Sequence, residues 1–482
     1  MGQAALVAGV DLGTGGVRAV ACDAAGRIWA QAERPLATRR DGPLLEQDPA
    51  EWRQATAECL RAVSAQLHGR ATIAAIGVTA TSGTICLLDE RGEALRPAIM
   101  YADMRAHAEA REIDLLAGDL RARLGYAFNS SWGLPKLVWL ARNEPQLVAR
   151  ARHLAHAGDA VSGWLCGDYG VTDMTQALKT GYDLIELRWP DLIEAGLGLP
   201  IAKLPRVVPA GQVIGRVTGA SATATGLPAG TLVVAGMTDG CASQLAAGAA
   251  SPGQWLSVLG TTLVFKGVST RLVRDPLGRI YCHLHPDGHW LPGAASNVGG
   301  AALAEWPSEA LPALDQQAAA LTPTGLVAYP LRQAGERFPF LHDQARAFLV
   351  GEPRTDAERY AATLEGVAYV ERLGYDLLGE LTGEPARQIL TTGGGARSSA
   401  WLQIRADVLG KPIGVAAASG ASFGAAVLAA GATLHPDLAS ATRALAHTRQ
   451  VVEPRAERAA AYDDGYQRFL AACRARGYLD QL

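Results

Sequence analysis

The order of elements around two glycine turns, met once in each half of the chain, restricts the fold more than any single motif. The stretch ALVAGVDLGTGGVRAVACDAAGRIWA (Ala5–Ala30) sets apolar and β-branched runs on both sides of Gly13–Gly16, and a third run after Ala24–Gly26. Such spacing predicts an antiparallel meander. EQDPAEWRQATAECLRAV (Glu46–Val63) then opens a helix, with Asp48 placed to cap it and Pro49 at its first position. A strand, a Thr/Ser/Gly bend and a second strand follow in Ala71–Leu95. The second half repeats this grammar. GQWLSVLGTTLVFKGVST (Gly253–Thr270) is strand, turn, strand; Thr355–Leu378 is a long amphipathic helix; RQILTTGGGARSSAWLQIRADVLG (Arg387–Gly410) is strand, glycine loop, helix. Two related α/β domains facing each other across a cleft, with these turns on opposite walls, are the expected architecture.

A chain of 482 residues exceeds what one hydrophobic core usually organises, which also favours two domains. The net charge of −3, with no basic stripe, excludes a nucleic-acid binder. No apolar run reaches the roughly 18 residues of a membrane span and no basic leader precedes the first strand, so the expectation is a cytoplasmic protein with no membrane partner. The seven cysteines are widely spaced without a C-x-x-C pair, which fits a reducing compartment and no zinc site. His283, His285 and His289 read as surface imidazoles of a hairpin rather than metal ligands, because Pro286–Gly288 makes a turn and no acid or cysteine completes a set.

Four segments are candidates for chemistry. DLGTGG (Asp11–Gly16) ends a strand in a carboxylate and leaves backbone N–H groups able to face an anion, although such a turn is equally an ordinary hairpin bend. LGTTL (Leu259–Leu263) is its counterpart. TTGGGARSSAW (Thr391–Trp401) lets a nucleotide approach the backbone near a helix start, but lacks the Gly-Lys-Ser/Thr of a P-loop. GMTDGCASQLAAGA begins at Gly236 and delivers Asp239 to a helix N-terminus, where the plain alternative is capping.

Taken together these segments resemble the FGGY carbohydrate kinases. YADMRA (Tyr101–Ala106), PKLVWL (Pro135–Leu140), QALKTGYD (Gln176–Asp183), GAASNVGGA (Gly293–Ala301) and GERFPF (Gly335–Phe340) add to the likeness, which covers nearly the whole chain. It implies the actin-like, ribonuclease H-like α/β fold: two domains flanking a catalytic cleft, 1–242 on the sugar side joined by helices of 428–482, and 243–427 on the nucleotide side. It implies ATP-dependent phosphorylation of a small sugar, a ketopentose with D-ribulose slightly ahead of D-xylulose; glycerol, a hexulose, or a non-catalytic actin-like nucleotide-binding scaffold are the alternatives. Asp239 would be the general base, touching the sugar and, with Asp11, Mg²⁺. Ser82 and Asp103 would bind sugar hydroxyls beside Asp11 and Asp239. Gly13, Thr14, Gly260, Thr261 and Thr262 would face the β- and γ-phosphates of ATP, with Gly394, Gly395, Ala396, Ser398 and Trp401 on the adenosine side. A homodimer is left open, and no role is assigned to Gly335–Phe340. The chain departs from the family pattern at Thr79 and Gly420.

Overall fold

The computed structural model describes residues 4–480, and the chain divides into two compact units. The first comprises residues up to Ala246 together with His283–His289 and Ala418–His447. The second comprises Ala247–Cys282, Trp290–Ala417 and the residues from Thr448 on. This corrects the expected boundary. Of the 428–482 segment only the part up to His447 belongs with the first unit; the helix Ala459–Arg474 buries Tyr462, Tyr466 and Phe469 in the core of the second.

The first unit is built on a six-stranded sheet. β1 (Ala4–Gly13), β2 (Gly16–Cys22) and β3 (Ile28–Pro35) form the expected antiparallel meander. On its other edge β1 pairs in parallel with Ala71–Ala80, which pairs in parallel with Leu232–Val234, and Val213–Arg216 closes the sheet antiparallel. Central strands covered on both faces must be apolar throughout, and Leu6, Val7, Ala8 and Val10 are all fully buried.

Side chains alternate across a strand, so the two faces separate by parity. Leu6, Ala8 and Val10 join one cluster with Trp52, Cys59, Leu60 and Val63 of α1 (Pro49–Leu67), which Asp48 caps by accepting from the Ala50 N–H at 2.9 Å. Gly9 and its register partner Gly77 lie on the opposite face, beneath the helix Ala421–Gly431. A Cβ on Gly9 would stand 1.9 Å from the Ser422 carbonyl oxygen, and one on Gly77 2.5 Å from that of Ala425. The same helix meets Asp239–Ala246 equally closely, since a Cβ on Gly424 would stand 1.9 Å from the Ala242 carbonyl oxygen.

The second unit repeats the grammar. Gln254–Leu259 and Leu263–Gly267 form an antiparallel hairpin extended by Trp290–Ser296. On the other edge Gln254–Leu259 pairs in parallel with Gln388–Thr392, which pairs in parallel with Ile413–Ala416, and Thr448–Val452 closes the sheet antiparallel. These six strands repeat the antiparallel, parallel, parallel, antiparallel, antiparallel order of the first sheet, the duplication expected of two related α/β domains, and Tyr281–Leu284 adds a seventh strand beyond Trp290–Ser296. The 27-residue helix Asp356–Thr382 packs over the second sheet with Ser399–Leu409. A buried ion pair fixes them: Arg405 Nε donates to Glu371 Oε2 at 2.7 Å, Nη2 to Oε1 at 2.8 Å, and Nη1 to Thr391 Oγ1 at 3.0 Å.

His283 and His285 differ from expectation. Both are buried, at 2% and 0% exposure, and desolvation holds the His285 imidazole below its ordinary value. Hairpin spacing carries no information on what covers a turn. Among the described residues no cluster of three or more His, Cys, Asp or Glu side chains could hold a metal ion, and none of the seven cysteines is in a disulfide.

Candidate active site

Asp11 lies two residues before the end of β1, opposite Arg18 in the hairpin register and beside Thr79 of the parallel neighbour. Its parity is that of Gly9, so it leaves the face covered by Ala421–Gly431. The Arg18 guanidinium stands 3.7 Å from Asp11 Oδ2. Asp11 Oδ1 and Thr79 Oγ1 are buried without a hydrogen-bond partner among the described residues. Burial is the largest force on the Asp11 carboxyl, the charge of Asp239 adds to it and Arg18 opposes it; together they push its pKa up to about 7.

Asp239 reaches this neighbourhood by a tightly constrained path. Leu232–Val234 ends, and Gly236 crosses so near the central strand that a Cβ would lie 1.6 Å from the Val78 carbonyl oxygen. Thr238 bridges Ala80, and the helix Asp239–Ala246 begins at the acid itself. Asp239 Oδ1 accepts from the Gly240 N–H at 2.6 Å, and the residue is half-buried. Both carboxylates therefore stand at the C-terminal ends of parallel strands, the usual place for a ligand in an α/β sheet.

The turn at Gly13–Thr14 is open, with Thr14 exposed and its carbonyl accepting from Gln47 Nε2 at 2.7 Å. Ser82 lies in the bend after Ala71–Ala80, where the Thr81 N–H donates to the Leu12 carbonyl and Gly83 takes a positive φ of 84°. Asp103 corrects the expectation that it faces the sugar. It is fully buried, and its oxygens accept from the Leu45 N–H at 2.6 Å and from Arg105 Nε and Nη2 at 2.9 and 2.8 Å. Burial alone would raise its carboxyl, but these bonds outweigh it and hold the pKa below the ordinary value.

In the second unit Gly260, Thr261 and Thr262 form the turn between two strands, and Gly393–Gly395 follows the adjacent parallel strand at the same, C-terminal end. The two meet. A Cβ on Gly393 would stand 2.5 Å from the Leu259 carbonyl oxygen, and one on Gly395 2.3 Å from Leu259 Cδ2. Gly394 is exposed and has nothing within 4 Å of a would-be Cβ. Ser398 caps the next helix, accepting from the Trp401 N–H at 3.0 Å, and the Ala396 carbonyl accepts from Arg449 at 3.2 Å. Trp401 corrects its assignment to the nucleotide. Its indole is 2% exposed and donates to the Leu364 carbonyl at 3.1 Å, so it anchors the helix in the core.

Sequence reasoning passed over several contributors. Arg18 faces Asp11 across a hairpin, which register counting would have found. Gly299 and Gly300 back the 260–262 turn: the Gly300 and Ala301 N–H groups donate to the carbonyls of Gly260 and Thr261 at 2.7 and 3.0 Å. Gly335–Phe340 acquires a physical account through Glu336, which is buried and accepts from Ser296 Oγ, the Asn297 N–H and Tyr329 Oη at 2.8, 2.7 and 2.9 Å. It ties down the segment leading into Gly299, while Phe338 and Phe340 fill the core.

Mg²⁺ usually takes one or two carboxylates and completes its shell with water and phosphate oxygens. An orphaned buried oxygen on Asp11, with a second carboxylate close enough to raise its pKa, fits such a donor set.

Residues 6–246 match the FGGY family of carbohydrate kinases, N-terminal domain, and residues 256–433 match its C-terminal domain. A xylulose kinase of Streptomyces coelicolor is 31% identical over 91% of this chain and 90% of its own. One from Escherichia coli is 28% identical over 84% and 85%. The crystal structure of a xylulose kinase from Rhodospirillum rubrum superposes with a TM-score of 0.88 at 30% identity, covering 98% of each chain.

Proposed function

Because this chain belongs to the FGGY family of carbohydrate kinases and is an ATP-dependent sugar kinase, we propose that it phosphorylates a ketopentose, D-xylulose first, with Asp239 as the general base. The similarity to xylulose kinases supports putting D-xylulose first, where the sequence alone has D-ribulose slightly ahead. The observation that carries the mechanism is the paired carboxylates of Asp11 and Asp239 at the ends of parallel strands, one of them holding an unpartnered buried oxygen.

Phosphoryl transfer asks a protein chiefly to position groups and to neutralise charge. A hydroxyl of the sugar gives its proton to the Asp239 carboxylate as its oxygen forms a bond to the γ-phosphorus. The bond from that phosphorus to the bridging oxygen breaks, and ADP leaves with the electron pair. Arg18 supplies positive charge beside the Gly13–Thr14 turn, and the turns at Gly260–Thr262 and Gly393–Gly395 present backbone to the nucleotide. Asp11 and Asp239 are the residues that would hold Mg²⁺, which when bound neutralises phosphate charge. Ser82 is the hydroxyl partner retained for the sugar. No helix among the described residues is long and apolar enough to cross a membrane. A cytoplasmic site for the reaction is a separate part of this proposal.

Asp239→Asn tests this reading. The amide keeps the shape and cannot accept the proton, so turnover in a coupled ADP assay should fall at least about 10²-fold, with nucleotide affinity retained by calorimetry. Turnover within a few fold of wild type would remove Asp239 as the base. A panel of D-xylulose, D-ribulose, gluconate and glycerol in the same assay decides the acceptor.

A further inference from the structure

The structure assigns a positioning role to Thr175: its hydroxyl holds the backbone that carries Asp239, and the carboxylate of Asp173 sets the direction of that hydroxyl. The inference rests on the reading of Asp239 as base and concerns how that base is held.

Between the end of Leu232–Val234 and the helix beginning at Asp239, the chain leaves the regular sheet. The Thr238 N–H, adjacent to the acid, donates to Thr175 Oγ1 at 2.8 Å in a buried setting. Thr175 belongs to the short helix Met174–Leu178, 63 residues earlier in sequence. Its hydroxyl donates to Asp173 Oδ1 at 2.5 Å, and Asp173 also accepts from the Thr175 and Gln176 N–H groups at 2.7 and 3.1 Å as that helix's N-cap.

This arrangement has a polarity. A hydroxyl has one hydrogen and two lone pairs. Asp173 Oδ1, which already accepts from two backbone N–H groups, takes the hydrogen and leaves a lone pair for the Thr238 N–H. Asp173, Thr175 and Thr238 are all buried, at 4%, 0% and 2% exposure, so water has little access to replace the link. On the far side of the same segment Gly236 runs against the Val78 carbonyl, and the Thr238 carbonyl accepts from the Ala242 N–H at 2.9 Å in the first helical turn. The segment 236–238 before Asp239 is thus held at three points, and at one of them the partner is a side chain, that of Thr175. Misplacing a catalytic group by about 1 Å costs on the order of 10²-fold in rate.

Thr175→Val keeps the shape and deletes the hydroxyl; Thr175→Ser keeps the hydroxyl. The expected result is a kcat lowered by about 10- to 100-fold in Thr175→Val, with the KM values for sugar and nucleotide and the far-UV spectrum unchanged, and a Thr175→Ser enzyme within about threefold of wild type. A Thr175→Val enzyme that keeps its kcat, or a Thr175→Ser enzyme impaired to the same extent, overturns the assignment. Asp239→Asn run alongside separates the two claims. If it abolishes turnover while Thr175→Val does not lower kcat, only the positioning role falls; if it leaves turnover intact, the base falls and the positioning role with it.

Discussion

Asp11→Asn should stabilise the protein, and by an amount that grows with pH. Folded Asp11 keeps its proton up to about pH 7, whereas its ordinary value is 3.8. The fold therefore disfavours the ionised form. Well below 3.8 both states are protonated and the group costs nothing; between 3.8 and about 7 the unfolded chain ionises alone, and stability falls with rising pH; above about 7 both ionise and the loss is complete. Integration gives a cost of about 2 kcal/mol at pH 5 and about 4 kcal/mol at pH 8. The substitution removes the titration, so its stabilising effect should be larger at pH 8 than at pH 5 by about 2 kcal/mol. Urea unfolding followed by tryptophan fluorescence, in EDTA, measures this directly. A stability difference that does not change with pH, or a variant less stable than wild type at pH 8, would refute the claim that burial of the Asp11 carboxylate outweighs its pairing with Arg18.

Two further outcomes are expected. Gly299→Ala forces a Cβ to within 2.5 Å of the Thr262 carbonyl carbon, which should distort the 260–262 turn and weaken ATP affinity about tenfold by calorimetry while sugar affinity stays unchanged; unaltered nucleotide affinity would count against that turn as a phosphate contact. Burial pushes the thiols of Cys22, Cys282 and Cys473 up to about 12 and that of Cys59 to about 11, and raises Cys86 as well; Cys241 is buried and Cys166 alone is partly exposed. Native protein treated with a chromogenic disulfide should release one equivalent, lost in Cys166→Ser, and rapid release of two or more would contradict this burial pattern.

Legibility in the sequence followed the range of the interaction. The meander, the capped start of α1, both glycine turns and the arrival of Asp239 at a helix start all rest on neighbours a few residues apart, and each has the expected local form. For Asp103 the Leu45 bond is remote, but Arg105, two residues on, is a local partner that the spacing does offer; the place of Trp401 is hidden because its partner, Leu364, comes from a distant segment that no local spacing announces. The same holds for Glu336, whose bonds to Ser296 and Asn297 give Gly335–Phe340 its part in supporting a turn. Membership of the C-terminal segment was also hidden, since an amphipathic helix shows that it has a buried face but not which core receives it.

Gly9, Gly77 and Gly424 bring the helix Ala421–Gly431 to within backbone distance of two strands and of the helix that begins with Asp239. Seating of this kind leaves no slack for even a methyl group, so the foundation under the acid is frozen at the level of main chain rather than side chain. Descendants of this sequence that acquire a taste for another sugar are then obliged to change elsewhere, because drift beneath the base would dislodge it before it altered what it accepts.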